Sequence, residues 1–192
     1  MTRLSRFFTA ITLTLLIVAC SQQPAKTTQQ QSAEPIPQQW SITAKLGIRT
    51  ADDSGSVTVK WQQDFQHYQI QISGPLGQRN AKINGNHQAI MIERPNHPTM
   101  YSSDPETLLL DTFQWPLPLK HLSYWVRGLP SPHLAQAQYQ YATTGALERL
   151  TQSGWELQYD RYRQTQQWLM PGRVKASRGD LRLTLVIRQW QF

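Results

Sequence analysis

The sequence predicts a mainly β, α+β fold, in which antiparallel strands pack with two short helices. Apolar residues alternate with polar ones in repeated runs, as in Val57–Trp61 and Leu181–Ile187. This alternation is typical of strands that bury one face. Two segments with helical spacing of apolar residues interrupt the strands between residues 103 and 128. We therefore expect roughly eight or more strands whose dry faces share one interior.

The first 20 residues have the pattern of an export signal. Arg3 and Arg6 precede a mostly apolar run, Phe7–Ala19, and Cys20, the only cysteine, follows it. The run is about 13 residues long, whereas roughly 20 are needed to span a bilayer. We predict a signal peptide over 1–19, and the cysteine resembles that of a bacterial lipobox, which would make Cys20 the lipidated first residue. An ordinary signal peptide with an incidental cysteine is the alternative.

The stretch after Cys20 predicts a tether. Residues 21–38 are rich in Gln, Thr and Pro and contain no aromatic residue, so they cannot bury much apolar surface. Such a segment would span about 23 Å as a coil and roughly 60 Å when fully stretched. The lipidated N-terminus and tether are thus expected over 20–38, and a single folded domain over 39–192. Ser21, rather than an aspartate, resembles the sorting signal for the outer membrane.

Further alternating runs predict additional strands and their turns. Tyr68–Ile72 and Trp155–Tyr159 alternate in the same way. Asn84-Gly85-Asn86 predicts a hairpin turn between strands at 81–83 and 88–93, because Asn and Gly tolerate the left-handed backbone of such turns. Gly154 and Gly179 are also placed in turns.

Both predicted helices are short and apolar on one side. The first begins at Ser103-Asp104-Pro105-Glu106, which fits a capping box, and ends before Pro116. The second begins at Pro118 and ends at Gly128, a residue suited to a helix C-terminus. Helices of this length are marginal alone, so we expect both to dock on the sheet. Their apolar faces comprise Leu108, Leu109, Thr112 and Phe113 in the first and Leu119, Leu122, Trp125 and Val126 in the second.

Composition and motifs favour binding over catalysis. The formal charge of +7 suggests attraction to an anionic surface or an acidic partner, and the lack of a dense Lys/Arg cluster argues against nucleic acid. None of the five histidines belongs to a His-Glu-x-x-His pattern, and no nucleotide-binding loop or Gly-x-Ser-x-Gly motif is present. We therefore expect no catalytic residue, no metal site and no cofactor.

One loop differs from the polar loops of most proteins. Gly74 and Gly77 bracket Pro75 and Leu76, which places an apolar side chain at the tip of a turn. Leu76 either folds back over the core or protrudes into lipid. A single exposed leucine gains only ~2 kcal/mol on leaving water, which suits a reversible contact rather than an anchor.

Several of these segments, in this order, resemble the family of the outer-membrane lipoprotein receptor LolB. The strongest match is Tyr124-Trp125-Val126-Arg127-Gly128-Leu129-Pro130. Weaker matches are the stretch from Trp40 through Lys45–Ile48, the Gly74–Gly77 loop and Met170–Val174, together with the lipobox and tether.

The resemblance implies a curved, unclosed antiparallel β-barrel with short helices plugging one mouth. Its hydrophobic cavity would take lipoprotein acyl chains from the periplasmic carrier LolA and release them into outer-membrane lipid, without forming a bond and as a monomer. The resemblance makes Leu76, with Pro75, the membrane-contact loop. Strand parity and helix face suggest the cavity lining: Ile70, Ile72, Ile90, Ile92, Trp115 and Trp125.

Two other functions remain open from the residues alone. A structural or assembly-factor lipoprotein would bind a protein partner through a sheet edge or a basic surface. A lipid-modifying or cell-wall enzyme would need a polar catalytic set within the cavity. Arg127 could equally support the helix end or dock a partner.

Overall fold

One antiparallel sheet dominates the computed structural model, which describes residues 36–75, 80–114, 117–134 and 137–192. The predicted signal peptide at 1–19, Cys20 and most of the tether lie outside these residues. The elements in chain order are β1 (Gln39–Arg49), β2 (Ser54–Asp64), β3 (His67–Ser73), β4 (Ala81–Gly85), β5 (Ile90–Glu93), β6 (Met100–Ser102), α1 (Pro105–Phe113), α2 (Leu119–Trp125), β7 (Ala137–Tyr141), β8 (Leu147–Gln152), β9 (Trp155–Asp160), β10 (Arg163–Thr165), β11 (Trp168–Met170), β12 (Arg173–Arg178) and β13 (Leu181–Gln191).

The large sheet is open. Its eleven described strands run in the order β6-β5-β4-β3-β2-β1-β13-β12-β9-β8-β7, and β10 and β11 form a separate hairpin. Sequence neighbours are mostly spatial neighbours, since short turns join antiparallel strands. The first strand pairs with the last, which brings both ends of the domain to the centre of the sheet. The predicted mainly β, curved and unclosed fold is confirmed.

Strand alternation separates a dry inner face from a wet outer face. On β1 the inward residues include Trp40, Ile42 and Ala44, each at most 3% exposed. Ile42 lies opposite Trp61 of β2 on one side and Trp190 of β13 on the other. A register shift between Thr43 and Ala44 reverses the inward–outward alternation of β13 near its end. Trp190 therefore lies on the same face as Ile187, although the two residues are three positions apart.

The β4–β5 turn falls later than the sequence predicts. Gly85 is still in β4, and the turn is made by Asn86, whose Oδ1 accepts hydrogen bonds from the backbone N–H groups of Gln88 and Ala89 at 2.8 and 2.9 Å. Gly85 is needed for a different reason. A Cβ atom there would lie 2.7 Å from the hydroxyl of Tyr68, its cross-strand partner, and 2.5 Å from the Ala89 carbonyl oxygen.

Both predicted helices are present, with one difference in capping. Asp104, rather than Ser103, is the N-cap of α1, because its carboxylate accepts the Thr107 N–H at 3.2 Å. This helix ends at Gln114, which has a φ of 59°. Pro118 precedes α2, and Gly128, with a φ of 76°, follows it. Within the described residues, no helix combines the length and apolar character needed to cross a bilayer.

Candidate functional site: an apolar cavity beneath two helices

A cavity of about 100 Å³ lies between the inner face of the sheet and the two helices. Every described residue that lines it is apolar. The lining comprises Leu46, Val59, Trp61, Ile70, Ile72, Ile83, Leu157, Val174, Ala176, Leu183 and Leu185 from the strands and Leu109, Phe113, Leu117, Leu119, Leu122, Trp125 and Val126 from the helices and their flanks. A space with this lining stays dry when empty and favours an apolar occupant.

The two cavity tryptophans satisfy their polar atoms elsewhere. Trp61 donates its indole N–H to Gln63 Oε1 at 2.9 Å, and Trp125 donates to Gln152 Oε1 at 3.0 Å. Burying an unpaired N–H is costly, so these two glutamines are buried with them. The tryptophan rings therefore contribute hydrophobic surface to the lining, while their N–H donors are already in use.

The structure places three of the predicted lining residues on the cavity wall. These are Ile70, Ile72 and Trp125. That an acyl chain occupies this wall stays a prediction. Trp115 lies outside the described residues.

Ile90 and Ile92 are not among the described residues that line the cavity, and their contact with an acyl chain stays a prediction. They are 2% and 0% exposed, but they belong to the short strand β5 near an edge of the sheet. The Thr112 hydroxyl of α1 lies 3.9 Å from Sδ of Met100, and Met100 is the cross-strand partner of Ile92. Helix α1 thus contacts this edge of the sheet through Met100.

Sequence reasoning missed most of the cavity wall. Leu157 and Leu183 belong to alternating runs that were read as strands, and Leu119 and Leu122 to a predicted apolar helix face. The sequence pattern showed which face of its strand or helix each of these residues occupies. Which strands surround a cavity depends on sheet order, and the run pattern carries no information about that order.

Gln152 holds the segment after α2 against the sheet. This side chain is 2% exposed. Its Oε1 accepts hydrogen bonds from Trp125 Nε1 and from the Ser131 backbone N–H at 2.9 Å, while its Nε2 donates to the carbonyl oxygens of Ser131 at 2.8 Å and Leu134 at 3.3 Å. One amide thus uses both its donor and acceptor atoms to join β8, α2 and the following loop.

Arg127 supports the other side of the same helix. Its Nε donates to the Ser123 carbonyl oxygen at 2.8 Å, and its Nη1 donates to the Pro37 carbonyl oxygen at 3.0 Å. The guanidinium lies 5.2 Å from the centre of the Tyr124 ring, and the residue is only 6% exposed. Burial lowers the pKa of Arg127. These contacts give Arg127 a structural role at the end of α2, where it connects the helix to the segment that enters β1.

Three histidines from different segments meet beside α2. The rings of His87, in the β4–β5 turn, and His133, after α2, are 6.1 Å apart. His121 of α2 places Nδ1 2.9 Å from the Ser131 hydroxyl. Burial is the main cause that lowers the pKa of His87 and of His121, and the positive charge of nearby Lys120 lowers both further.

This cluster has no geometry suited to metal binding. In the part of the chain that the structure describes, no group of three or more His, Cys, Asp and Glu residues could hold a metal ion. The arrangement instead places the three rings where the β4–β5 turn, α2 and the following loop meet.

The predicted membrane-contact loop is only partly described. Pro75 is exposed just beyond the end of β3, while Leu76 and Gly77 lie outside the described residues. Strand β3 carries Ile70 and Ile72 on the cavity wall, so this loop extends from the same strand that borders the cavity. The role assigned to Leu76 stays a prediction.

Comparison with known proteins identifies the family. The family model described as "Outer membrane lipoprotein LolB" matches residues 38–190. The outer-membrane lipoprotein LolB of Cellvibrio japonicus is 42% identical over 156 residues, covering 79% of this chain and 77% of that protein. The LolB of Pseudomonas aeruginosa strain LESB58 is 39% identical over 169 residues, covering 88% and 81%.

A solved structure supports the fold independently. The LolA superfamily protein NE2245 from Nitrosomonas europaea aligns with a TM-score of 0.54 at 9% identity, over 82% of this chain and 87% of that one. At this identity the likeness concerns the fold alone. Together, the family model, the curated relatives and the fold confirm the resemblance found in the sequence: the chain belongs to the LolB family of outer-membrane lipoproteins.

Proposed function

We propose that this protein receives lipoproteins at the outer membrane by taking their acyl chains into the apolar cavity, accepting them from a soluble LolA-type carrier and inserting them into the membrane. Family membership supports this transfer pathway. The likeness in fold to a LolA superfamily protein also supports it, because acceptor and carrier would then share one architecture. The observation that carries the proposal is the fully apolar lining, since it offers burial and no catalytic group.

The physical chemistry of transfer fits such a lining. An acyl chain in water costs ~0.8 kcal/mol for each exposed CH₂, so it must pass between apolar sites. A difference of only ~1.4 kcal/mol between two such sites gives a tenfold bias. The acceptor therefore needs a slightly more favourable cavity than the carrier, and the bilayer provides the final gain.

The cavity must enlarge to hold its cargo. Its volume of about 100 Å³ is well below the ~300–1,000 Å³ of pockets that enclose drug-sized ligands. Helix α1 packs through side chains such as Leu109 and Phe113, so it can move without breaking the hydrogen bonds of the sheet. Displacing α1 would exchange its apolar contacts for those of an acyl chain, which keeps the energetic cost of opening low.

Two residues outside the described part complete the proposal. Cys20 would carry the lipid that holds the protein at the outer membrane, and Leu76 would touch the bilayer during release. Anchoring and release are separable from acceptance, which belongs to the folded domain.

Acceptance is tested with a soluble Cys20→Ala form. It is mixed with a LolA-type carrier loaded with fluorescent lipoprotein, and movement of the label is followed by size-exclusion chromatography. We expect transfer to this form, a loss of at least tenfold with Leu122→Glu in the cavity wall, and retention with Leu110→Glu on the exposed side of α1. Failure of the folded Cys20→Ala protein to take up any label contradicts the proposal.

Release is tested separately with Leu76→Glu. We expect this variant to accept label from the carrier as before and to deliver it poorly to phospholipid vesicles, since a carboxylate resists entry into lipid. Delivery equal to that of the parent protein would show that Leu76 does not act at the membrane.

A further inference from the structure

The outer face of the sheet, opposite the cavity, carries a set of exposed cations. They come from five strands whose inward residues form the core. We call this set the basic outer face: Lys45, Arg49, Lys60, Arg149, Lys175 and Arg182.

Strand register makes this face continuous. Lys45 lies between Thr58 of β2 and Val186 of β13. Two residue positions away along the strands, Lys175 of β12 lies beside Gln158 of β9. Gln158 in turn pairs with Arg149 of β8. The positive charges are thus distributed across adjoining strands, with Glu156 of β9 as an acidic neighbour in the row that contains Ser177, Arg182 and Arg49.

The arrangement is unfavourable for the isolated fold. Arg49 and Arg182 are direct cross-strand partners, and like charges in this position destabilise a sheet. Arg182 directs its Nη1 to the carbonyl oxygens of Gly179 and Leu181. On the same face, the Asp160 carboxylate is already bound by Arg173, 2.6 Å from Nε. An external anionic surface would relieve this excess of positive charge.

We propose that the basic outer face docks on an anionic phospholipid surface and thereby turns the cavity and its two helices towards the aqueous phase. This inference rests on the proposed function, because it gives the acceptor an orientation in which a soluble carrier can reach the cavity. Cations near an anionic membrane are attracted over about a Debye length, so a curved face need not be in contact along its whole area.

The length of the tether, roughly 60 Å when fully stretched, allows a membrane to be the anionic surface. The chain that follows Cys20 enters the sheet at Gln39, the first residue of β1, and β1 itself carries Lys45 and Arg49. A lipid held by residues 21–38 is therefore within reach of this face. A protein that exchanges acyl chains must instead meet the opposite side of the sheet, where the cavity lies.

Docking in this orientation separates acceptance from release. The Gly74-Pro75 loop follows the end of β3 and does not belong to the basic outer face. Contact of this loop with the bilayer, through Pro75 and Leu76, would be apolar rather than electrostatic. The same membrane would thus hold the protein in an accepting orientation through charge and in a releasing orientation through apolar contact.

The test uses the soluble Cys20→Ala form and phosphatidylcholine vesicles with or without about one third phosphatidylglycerol. We expect sedimentation with the anionic vesicles that weakens as salt rises from 0.15 to 0.5 M. Lys45→Gln/Lys60→Gln/Lys175→Gln should lower the partition coefficient roughly hundredfold, since each cation near such a surface contributes about fivefold. The matched variant Lys120→Gln/Arg161→Gln/Arg163→Gln, with three exposed cations removed elsewhere, should change it less than about tenfold.

Equal vesicle binding by the parent and the outer-face variant overturns the inference, as does an equal loss in the matched variant. A carrier-transfer assay without vesicles separates this result from failure of the proposed function. The outer-face variant should accept label as the parent does. If it loses acceptance while its vesicle binding is unchanged, the face serves an acidic protein and the lipid assignment is wrong.

Discussion

The two helices that cover the cavity are held in different ways. Helix α2 is fixed by buried hydrogen bonds, from Trp125 to Gln152 and from Arg127 to the carbonyl oxygens of Ser123 and Pro37. Helix α1 is held mainly by packing of residues such as Leu109, with a weak contact between Thr112 and the sulfur of Met100. Buried hydrogen bonds resist displacement, whereas apolar contacts can be exchanged for others. We therefore expect α2 to act as a fixed frame and α1 to act as a movable cover when an acyl chain enters the cavity.

Locking each helix in turn gives the largest expected effect. In a Cys20→Ala background, Met100→Cys/Thr112→Cys allows a short bifunctional thiol reagent to join α1 to β6. His121→Cys/Ser131→Cys allows the same reagent to join α2 to its following loop, at a contact of 2.9 Å in the parent. We expect cross-linked α1 to lower the affinity for a fluorescent fatty acid at least tenfold, and cross-linked α2 to change it less than twofold.

The control is the same double variant before cross-linking, which should bind as the parent does. If both cross-linked proteins bind the fatty acid as tightly as the parent does, the cavity fills without movement of α1. Loss only in the α2-locked protein would reverse the assignment of frame and cover.

Removing the central amide of the frame should produce the next largest effect. Gln152→Ala leaves the Trp125 N–H and the Ser131 N–H without their acceptor in a buried site. Such orphaned groups cost about 1–3 kcal/mol each, so we expect a loss of about 3 kcal/mol in the free energy of unfolding. In a domain of this size, that corresponds to a fall in Tm of roughly 6–12 °C, measured by circular dichroism.

The exposed Gln158 of β9 provides a matched control, because Gln158→Ala removes the same side chain from the outer face. It should lower stability by less than about 0.5 kcal/mol. A loss below 1 kcal/mol for Gln152→Ala would show that water replaces the amide and that α2 is less firmly fixed than its hydrogen bonds suggest.

The sequence predicted most elements of the fold because their patterns are local. Alternation over Val57–Trp61 and Tyr68–Ile72 identified β2 and β3, and the residues around Asp104 and Pro118 identified the helix starts. The curvature of the sheet came only with the family resemblance, and the strand order was not predicted at all, since pairing between distant strands leaves no mark on either run.

The buried glutamines that bond the cavity tryptophans were not predicted, although the sequence contained a signal for them. Gln152 shares inward parity with Leu150 on β8, and Gln63 shares it with Trp61 on β2, yet isolated glutamines in a strand suggest solvent. A polar residue at inward parity predicts a buried hydrogen bond without naming its partner. Ile90 and Ile92 show a related limit, because strand alternation gives the face of the sheet and cannot tell whether a residue on it borders a cavity.

Protonation of His87 and His121 at acid pH should lower the free energy of unfolding by a smaller amount. Folding lowers the pKa of His87 and His121, so the folded state favours their neutral forms. The stability they contribute is complete above the unfolded value of about 6.5 and is lost as pH falls from there towards the lower folded values. Both rings are partly solvated, so we expect a loss below about 1 kcal/mol between pH 7.5 and 5.5, measured by urea unfolding.

Other charged groups surround the two histidines, and His121→Gln supplies the control. Lys120 and His133 oppose protonation of the two histidines, while hydrogen bonds from Thr107 lower the pKa of Asp104 and burial raises the pKa of Glu106. His121→Gln removes one titrating ring and retains a side chain able to bond Ser131. Its stability should depend less on pH than that of the parent, and an unchanged dependence would assign the effect to other groups.

The outward side of α1 should give the smallest effect. Leu110 is 42% exposed, whereas the adjacent Leu109 is 2% exposed and lines the cavity. A cover that packs only through its inner side should tolerate Leu110→Ser with a change below about 0.5 kcal/mol in the free energy of unfolding and no change in fatty-acid affinity. Leu109→Ser, which places a hydroxyl in the apolar lining, should lower both clearly. If Leu110→Ser weakens fatty-acid binding without lowering stability, the outer side of α1 also meets the ligand, and the helix does more than cover the cavity.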